Sequence, residues 1–153
     1  DHLMGIKGKK SVDSIHKELG HIMWEYVGMG RTEEGLKTAL KLLKDIRKEF
    51  ETNLFIPGST EGVNIELEKA LRLNDFITMG ELIAYDALNR NESCGGHFRE
   101  EYQTEEGEAK RDDENYFYVS CWEYQGSDDV APVLYKEPLV YEAIKVQTRN
   151  YKS

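Results

Sequence analysis

The sequence predicts a mainly α-helical fold, an antiparallel three-helix bundle followed by a long loop and a small β-hairpin. Three observations support this prediction. Apolar residues recur at steps of three and four over residues 11–90, the spacing of amphipathic helices that share a core. Residues 91–114 are polar and lack a sustained period. The aromatic and β-branched residues that follow are typical of strands.

The first long helix begins after Ser11 and ends at the glycines of VGMGR. Ser11 is a suitable N-cap because its hydroxyl can accept a hydrogen bond from the first turn. Gly28 and Gly30 end the helical pattern. The residues expected to face the core are Val12, Ile15, Leu19, Ile22, Met23 and Tyr26.

The second helix begins after Thr32, which is another N-cap residue. Glu33 and Glu34 occupy its first turn, where the helix dipole favours negative charge. The residues expected on its core face are Leu36, Leu40, Leu43, Ile46 and Phe50.

The third helix follows the break at Pro57-Gly58-Ser59 and runs roughly from Asn64 to Arg90. One stripe of it is polar and comprises Glu68, Arg72, Asp75, Asp86 and Asn89. The opposite side is broadly apolar and comprises Leu73, Phe76, Ile77, Ile83, Ala84, Ala87 and Leu88. Gly80 also lies there, where the backbone could approach another element closely. Two partner helices could cover this apolar side, and so could a further domain.

A β-hairpin is predicted after the loop. Its first strand is the aromatic segment from Tyr116 to Trp122, residues 126–129 form the turn, and Val133–Tyr135 form the second strand. We predict a linker over residues 1–10 and a single domain over residues 11–153. Within this domain a spectrin-repeat-like bundle covers about residues 11–90, and the loop and small β region cover about residues 91–153.

Composition excludes several classes of function. The chain has 153 residues and a net charge of −9, with a pI near 5.0. An acidic chain without a basic tract is a poor candidate for binding nucleic acid. No segment approaches the roughly 18 apolar residues of a membrane span. Cys94 and Cys121 form no CxxC, which argues against a disulfide scaffold and a cysteine-based zinc site.

The N-terminal segment lacks the apolar stretch of a secretory signal, and two reduced thiols fit the cytoplasm. No Met stands at position 1. We therefore expect the chain to begin inside a longer one.

His97 is the histidine best suited to a specific role, because it follows two glycines whose backbone can approach a ligand or a neighbouring domain. A Cys94–His97 nucleophilic pair is conceivable, but no orienting group is evident beside it. A positioning or interface role is favoured. His16 and His21 are five residues apart, a poor spacing for two metal ligands on one helix face. The sequence predicts no catalytic residue and no metal ligand.

Three segments resemble the C-terminal region of the flavoprotein subunits of succinate dehydrogenase and fumarate reductase. IMWEYVGMGRTEEGL (Ile22–Leu36) is similar to the family's apolar-Trp, Val-Gly, Arg-Thr-x-x-Gly-Leu segment. ALNRNESCGGHFREE (Ala87–Glu101) is similar to its Glu-Ser-Arg-Gly-Ala-His-x-Arg-Glu-Asp motif. Arg111-Asp112-Asp113-Glu114-Asn115 is similar to its Arg-Asp-Asp-x-Asn motif, which leads into an aromatic strand. The segments span most of the chain in the family's order.

The resemblance implies a parent subunit that binds FAD and interconverts succinate and fumarate. Electrons would pass to an iron–sulfur subunit and then to a membrane quinone-reactive subunit, on the inner, cytoplasmic face of the membrane. In this family the flavin-linking, substrate-binding and proton-donating residues belong to domains that precede the region matched here. The chain is therefore expected to hold no FAD, to be inactive alone, and to pack against the FAD-binding domain and the iron–sulfur subunit.

Two groups of residues follow from the resemblance. The expected inter-domain loop comprises Glu92, Ser93, Gly95, Gly96, His97 and Arg99. The expected loop-to-hairpin motif comprises Arg111, Asp112, Asp113 and Asn115. An ion pair between Arg111 and Asp113 could pin the loop onto the hairpin, although surface pairs contribute only about 0–1 kcal/mol.

The sequence departs from the family pattern at three positions, where Cys94 replaces an Arg, Gly96 an Ala and Glu101 an Asp. Cys94 cannot reproduce the bidentate pairing of a guanidinium. The related L-aspartate oxidases share the helical part and a similar Ser-Arg-Gly loop, whereas the Arg111–Asn115 motif favours the succinate dehydrogenase branch. An independent acidic helical module, with the acidic loop as its protein-binding site, is the alternative outside this family.

Overall fold

Three long helices pack around one core in a computed structural model that describes residues 2–127 and 130–147. They are α2 (Val12–Val27), α3 (Glu33–Asn53) and α4 (Ile65–Asn89), and two short helices are α1 (His2–Gly5) and α5 (Asp113–Tyr116). The mainly α-helical class and the three predicted helices are confirmed.

Two pairs of very short parallel strands join the ends of the bundle. β1 (Lys10–Ser11), just before α2, pairs with β3 (Leu54–Phe55), just after α3. β2 (Gly30–Arg31), between α2 and α3, pairs with β4 (Phe98–Arg99), which follows α4. The pairings place the start of α2 beside the end of α3, and the α2–α3 connection beside the end of α4, as an antiparallel bundle requires.

Side-chain caps fix where the long helices begin. The Ser11 hydroxyl accepts from the Ser14 N–H at 3.2 Å, and the Thr32 hydroxyl accepts from the Gly35 N–H at 3.0 Å, which confirms both predicted caps. The Asn64 side chain caps α4 in the same way at 3.0 Å, through the Leu67 N–H. Each cap satisfies a backbone donor that the first turn leaves without a helical partner.

The core consists of the predicted apolar faces of the three helices, with a few residues of their connections. Leu40, Met23 and Tyr26 pack at its margin and are only partly buried. A Cβ on Gly80 would lie 3.2 Å from Met23 Sδ and 3.5 Å from a Leu19 methyl, so α2 and α4 approach closely there, as expected. The buried apolar residues are Val12, Ile15, Leu19, Ile22, Val27, Leu36, Ala39, Leu43, Ile46, Phe50, Leu54, Ile56, Ala70, Leu73, Ile77, Ala84 and Ala87.

The predicted apolar side of α4 is wider than its partners can cover. Leu73, Ile77, Ala84 and Ala87 are buried, whereas Phe76 remains 47% exposed and Ile83 40% exposed. Among the described residues, α2 and α3 make the main contacts along α4, and Phe76 lies at the border, with its ring stacked on that of His16. Part of this side is therefore left open.

The β-hairpin packs against the end of α4. β5 (Tyr118–Glu123) and β6 (Val133–Pro138) pair antiparallel, with Tyr118 opposite Pro138 and Glu123 opposite Val133. Trp122 Nε1 donates to Asp86 Oδ1 at 2.8 Å and so fixes β5 to α4. The hairpin is confirmed, but the prediction that its first strand begins at Tyr116 is wrong, because Tyr116 ends α5. The predicted turn includes residues 128 and 129, which lie outside the described residues.

Residues 2–10 pack against the bundle. Leu3, Met4 and Ile6 lie against the core, and the Gly8 N–H donates to the Leu54 carbonyl at 3.1 Å. A Cβ on Gly8 would lie 1.9 Å from the Asn53 carbonyl carbon, so only glycine fits. The predicted linker segment is thus ordered against α3, while the division of the chain into domains stays a prediction.

Among residues 2–127 and 130–147, no helix combines the length and the apolar character that a membrane crossing needs.

Candidate functional site

Polar side chains gather where α2 and α4 end and β2 pairs with β4. Three of them are almost completely buried: Glu92 is 2% exposed, Ser93 0% and Arg99 1%. Burying such groups is unfavourable unless they are hydrogen-bonded. We call this group the polar cluster; it comprises Arg31, Arg90, Glu92, Ser93, His97, Arg99 and Glu101.

Arg99 binds the carboxyl end of α4. Its Nη1 donates to the carbonyl oxygens of Ala87 at 3.1 Å and Leu88 at 3.3 Å. These carbonyls belong to the last turn of the helix, where backbone acceptors lack helical partners and the dipole favours a positive charge. Arg99 Nε donates to Glu101 Oε2 at 3.0 Å, and the guanidinium carbon lies 5.4 Å from the centre of the Tyr102 ring. Arg99 therefore caps α4 from the loop.

Arg31 binds the end of α2 in a similar way. Its Nε donates to the carbonyl oxygens of Val27 at 3.2 Å and Gly28 at 3.0 Å. Its Nη1 lies 2.9 Å from His97 Nδ1. Burial lowers the pKa of Arg31, and the nearby Asp86 carboxylate opposes that shift. The α2–α3 connection is thereby joined to the loop.

His97 is held by both ring nitrogens. Because a guanidinium only donates, Nδ1 must accept from Arg31, and Nε2 must carry the proton that points to the Arg90 carbonyl at 3.0 Å. Burial lowers the pKa of His97, and the positive charges of Arg31, Arg99 and Arg90 lower it further, while the hydrogen bond to the Arg90 carbonyl raises it. The neutral imidazole is the form that fits this site.

Cys94 and His97 are joined through their backbones. The Cys94 N–H donates to the His97 carbonyl at 2.8 Å, and the His97 N–H donates to the Cys94 carbonyl at 3.0 Å. Both imidazole nitrogens already have partners, so the ring has no free acceptor for the Cys94 thiol. This arrangement supports a positioning role for His97 over a nucleophilic pair.

Glu92 and Ser93 fix the start of the loop. Glu92 accepts from Arg90 Nη1 and from the Asp112 N–H, both at 2.9 Å. The Ser93 hydroxyl accepts from the Arg99 N–H at 2.8 Å and donates to the Arg99 carbonyl at 3.1 Å. These bonds replace the water that the buried groups have lost.

Glu101 lies at the amino end of α3. Its Oε1 accepts from the Glu33 N–H in the first turn, and its Oε2 accepts from Arg99. Burial raises the pKa of Glu101, but hydrogen bonds from backbone N–H groups and from Arg99 lower it more, so that the net shift is downward. One carboxylate therefore connects the start of α3 to the arginine that caps α4.

The Arg111–Asn115 motif forms the start of α5. The Asp112 carboxylate accepts from the Asn115 N–H and side-chain amide, at 3.2 Å and 2.9 Å. The ion pair between Arg111 and Asp113 is present at 2.6 Å, but Asp113 lies in α5 and not in the hairpin. Arg90 makes the direct link to the hairpin, since its Nη2 donates to the Tyr118 carbonyl at 2.9 Å.

The predicted loop residues differ in burial. Glu92, Ser93 and Arg99 are buried and His97 is half-buried, whereas Gly95 and Gly96 form an exposed turn in which Gly95 has φ +59°. An inter-domain role for these residues stays a prediction, and only the glycine turn offers it an open surface.

Sequence reasoning missed Arg31, Arg90 and Glu101 as members of the polar cluster. Arg31 and Glu101 lie within the matched motifs, but their partners are 66 and 68 residues away. Within the described part of the chain, no group of three or more His, Cys, Asp or Glu side chains could hold a metal ion. The cluster's hydrogen bonds are directed at the protein itself, which suits it to fixing structure.

Comparison with known proteins relates this arrangement to one family. The family model described as "Fumarate reductase flavoprotein C-term" matches residues 16–151. A fumarate reductase flavoprotein subunit of Proteus vulgaris is 31% identical over 114 residues, which is 74% of this chain and 18% of the relative. An L-aspartate oxidase of Nicotiana tabacum is 37% identical over 88 residues, which is 58% of this chain and 13% of the relative.

A solved structure of quinol-fumarate reductase with menaquinol molecules shares the fold. Its TM-score is 0.76 at 24% identity, and the match covers 94% of this chain and 24% of that one. The matched part of this chain covers less than a fifth of the length of the fumarate reductase subunit and of the L-aspartate oxidase.

Proposed function

Because this chain belongs to the family of fumarate reductase flavoprotein C-terminal domains, we propose that it is the helical domain of a succinate dehydrogenase or fumarate reductase flavoprotein. Its role is to pack against the rest of that flavoprotein, and it has no catalytic activity alone. The match over residues 16–151 carries the proposal, because it includes the polar cluster and all of the three long helices except the first turn of α2.

The glycine-rich GMGR turn (Gly28–Arg31) does not have the features of a dinucleotide site. A dinucleotide is held by free backbone N–H groups at a glycine-rich turn from a strand into a helix. Here GMGR follows a helix, and in the first turn of α3 the Glu33 and Gly35 N–H groups bind Glu101 and Thr32. We therefore assign FAD, succinate and fumarate to the part of the flavoprotein that lies outside this chain.

An exposed apolar surface supports the packing role. On α4 the side chains of Phe76, Met79, Leu82 and Ile83 follow one another at helical spacing, and between 37% and 55% of each is exposed. We call these four residues the apolar strip. Exposed apolar side chains that are grouped together, and not scattered singly, are found at protein contact sites. We assign the strip to the FAD-binding domain, and the exposed Gly95–Gly96 turn to an inter-domain or inter-subunit contact.

The wider partners follow from the same family assignment. The iron–sulfur subunit would receive electrons from the flavin, and a membrane quinone-reactive subunit would lie beyond it. The intact complex would then sit at the inner face of the cytoplasmic membrane. A relative solved as a quinol-fumarate reductase supports this assignment at the level of the fold.

Flavin content and turnover test the proposal. The purified 153-residue chain is expected to show no flavin absorbance and no succinate-dependent reduction of a dye. The reason is that we assign the residues that bind FAD and succinate to the rest of the flavoprotein. A full-length flavoprotein subunit prepared in the same way is the control and should show both. Stoichiometric FAD, or turnover of succinate by the chain alone, would contradict the proposal.

An L-aspartate oxidase is the second candidate parent, favoured by the 37% identity to the tobacco protein. The larger share of the chain matched by the fumarate reductase subunit, 74% against 58%, favours the first candidate. The full-length protein decides between them, since oxidation of L-aspartate in place of succinate would establish the second.

A further inference from the structure

We propose that His97 is a pH-sensitive latch, which holds the turn formed by residues 94–97 against the helical bundle and releases it when the imidazole takes up a proton. The inference does not depend on the function proposed above. It rests on three features of the site: how the ring is bonded, which charges surround it, and how little else holds the turn.

The closed latch requires a neutral ring. Nδ1 accepts from Arg31 at 2.9 Å, and Nε2 donates to the Arg90 carbonyl at 3.0 Å. Arg31 is bound in turn to the carbonyl oxygens at the end of α2, and Arg90 follows α4. The ring therefore connects both helices to the turn. A proton on Nδ1 would set two donors against each other and break the bond to Arg31.

The charges around the ring oppose protonation. Guanidinium groups face it from three elements, Arg31 from β2, Arg90 from the end of α4 and Arg99 from β4. The rings of Tyr116 in α5 and Tyr118 in β5 lie over Arg90, with ring centres 5.7 Å and 5.1 Å from its guanidinium carbon. An imidazolium would thus be a fourth positive charge in one place.

The nearby carboxylates are already engaged. Asp86 accepts from Trp122, Glu92 from Arg90 and the Asp112 N–H, and Glu101 from Arg99 and the Glu33 N–H. Among the described residues, none of these carboxylates is hydrogen-bonded to His97. The protonated ring would therefore leave the polar cluster for water, where its positive charge is solvated.

The turn has few other contacts. Gly95 and Gly96 are exposed, and no atom lies within 4 Å of where their Cβ atoms would be. Ser93 and Arg99 on either side are buried and hydrogen-bonded to each other. Opening is therefore confined to residues 94–97, while the core of the bundle stays closed.

Proton linkage determines how the equilibrium between the closed and the open turn shifts with pH. Burial and the three arginines hold the pKa of His97 below its ordinary value in the closed state, so the open state binds the proton more tightly. The closed turn is favoured above the ordinary pKa of about 6.5 and is lost as pH falls below it. Uptake of one proton changes the ratio of closed to open molecules by at most about tenfold per pH unit.

Amide hydrogen exchange in the 153-residue chain tests the latch directly. The Cys94 and His97 amides bond to each other's carbonyls, and in the open state that we propose these two bonds are lost together with the ring's contacts. We expect the protection of both amides, corrected for intrinsic exchange, to fall by up to about tenfold per pH unit between about pH 7 and pH 5. The amide of Leu43 in α3 should keep its protection. Constant protection of the turn, or a parallel loss in α3, would overturn the proposal.

A matched pair of variants assigns the effect to one ring. His97→Gln keeps an acceptor for Arg31 and a donor for Arg90 but does not titrate, so its turn should stay protected at low pH. His21→Gln removes an exposed histidine of α2 and should behave as the unmodified chain does. The latch is refuted if the amide protection of the turn still falls at low pH in His97→Gln but no longer falls in His21→Gln.

The imidazole itself gives a readout that does not depend on either variant folding. Nitrogen chemical shifts of His97 in the unmodified chain should show a proton on Nε2 at about pH 8 and a pKa below the ordinary histidine value of about 6.5. A proton on Nδ1, or a pKa at or above that ordinary value, would contradict the latch.

Discussion

At the residue scale, Arg99 is the charged side chain buried most deeply in the polar cluster. It is 1% exposed, and a charge so deeply placed is tolerated only with partners for its donors. Two helix-end carbonyls and the Glu101 carboxylate supply them, and the Tyr102 ring covers one face. Removing the guanidinium would leave these acceptors without their donor. The resulting loss of folding free energy exceeds the net contribution of the hydrogen bonds to stability.

Replacing Arg99 by Met should lower the free energy of unfolding by about 3 kcal/mol, because buried acceptors lose their donor. The measurement is urea unfolding followed by circular dichroism. Arg72→Met is the matched control, since Arg72 is an exposed arginine on α4 that pairs with the exposed Glu68, and it should change stability by less than about 1 kcal/mol. Equal effects of the two substitutions would show that burial of Arg99 contributes nothing.

The burial of Arg99 could not be predicted from residue types alone. Residues 91–114 have the composition of a solvated loop, and the resemblance to a known motif was the only sign that Glu92, Ser93, His97 and Arg99 act together. The partners of His97 and Glu101 lie 66 and 68 residues away, in the connection between α2 and α3. Local sequence carries no information about contacts of that separation.

At the element scale, the three long helices were predictable because their signals are local. Apolar spacing marked their core faces, and Ser11, Thr32 and Asn64 stand at their starts. The strand pairs β1–β3 and β2–β4 were not predictable, since two residues show no periodicity and their partners lie far along the chain. Tyr116 was assigned to a strand because of its aromatic ring, but Asp112 caps a short helix there.

Gly8 tests whether the β1–β3 pairing holds residues 2–10 in place. Gly8→Ala would place a methyl group 1.9 Å from the Asn53 carbonyl carbon, so the N-terminal segment must move away. We expect stability to fall by about 2 kcal/mol and limited proteolysis to cut earlier within residues 2–10. Gly62→Ala, where the added carbon meets no atom within 4 Å, is the control and should leave both measurements unchanged. Full protection of the segment in Gly8→Ala would contradict this account of the pairing.

At the scale of the whole molecule, the apolar strip is the feature that the isolated chain does not explain. Sequence periodicity predicted an apolar side of α4 and left open whether helices or a further domain cover it. The structure covers one part of that side with α2 and α3 and leaves Phe76 and Ile83 exposed, next to Met79 and Leu82, which the predicted side did not include. Relatives more than five times as long as the matched region offer a partner for this surface.

The measurement that tests this account most directly is the affinity between the 153-residue chain and the FAD-binding domain of the parent flavoprotein that we propose, with the two produced separately. The account predicts saturable, equimolar binding that weakens at least about tenfold, about 1.4 kcal/mol, when Phe76 and Met79 are both replaced by Ser. Val63→Ser, at a residue 98% exposed before α4, should bind as the unmodified chain does. No binding by the unmodified chain, or a reading frame that starts at or just before Asp1, would contradict it.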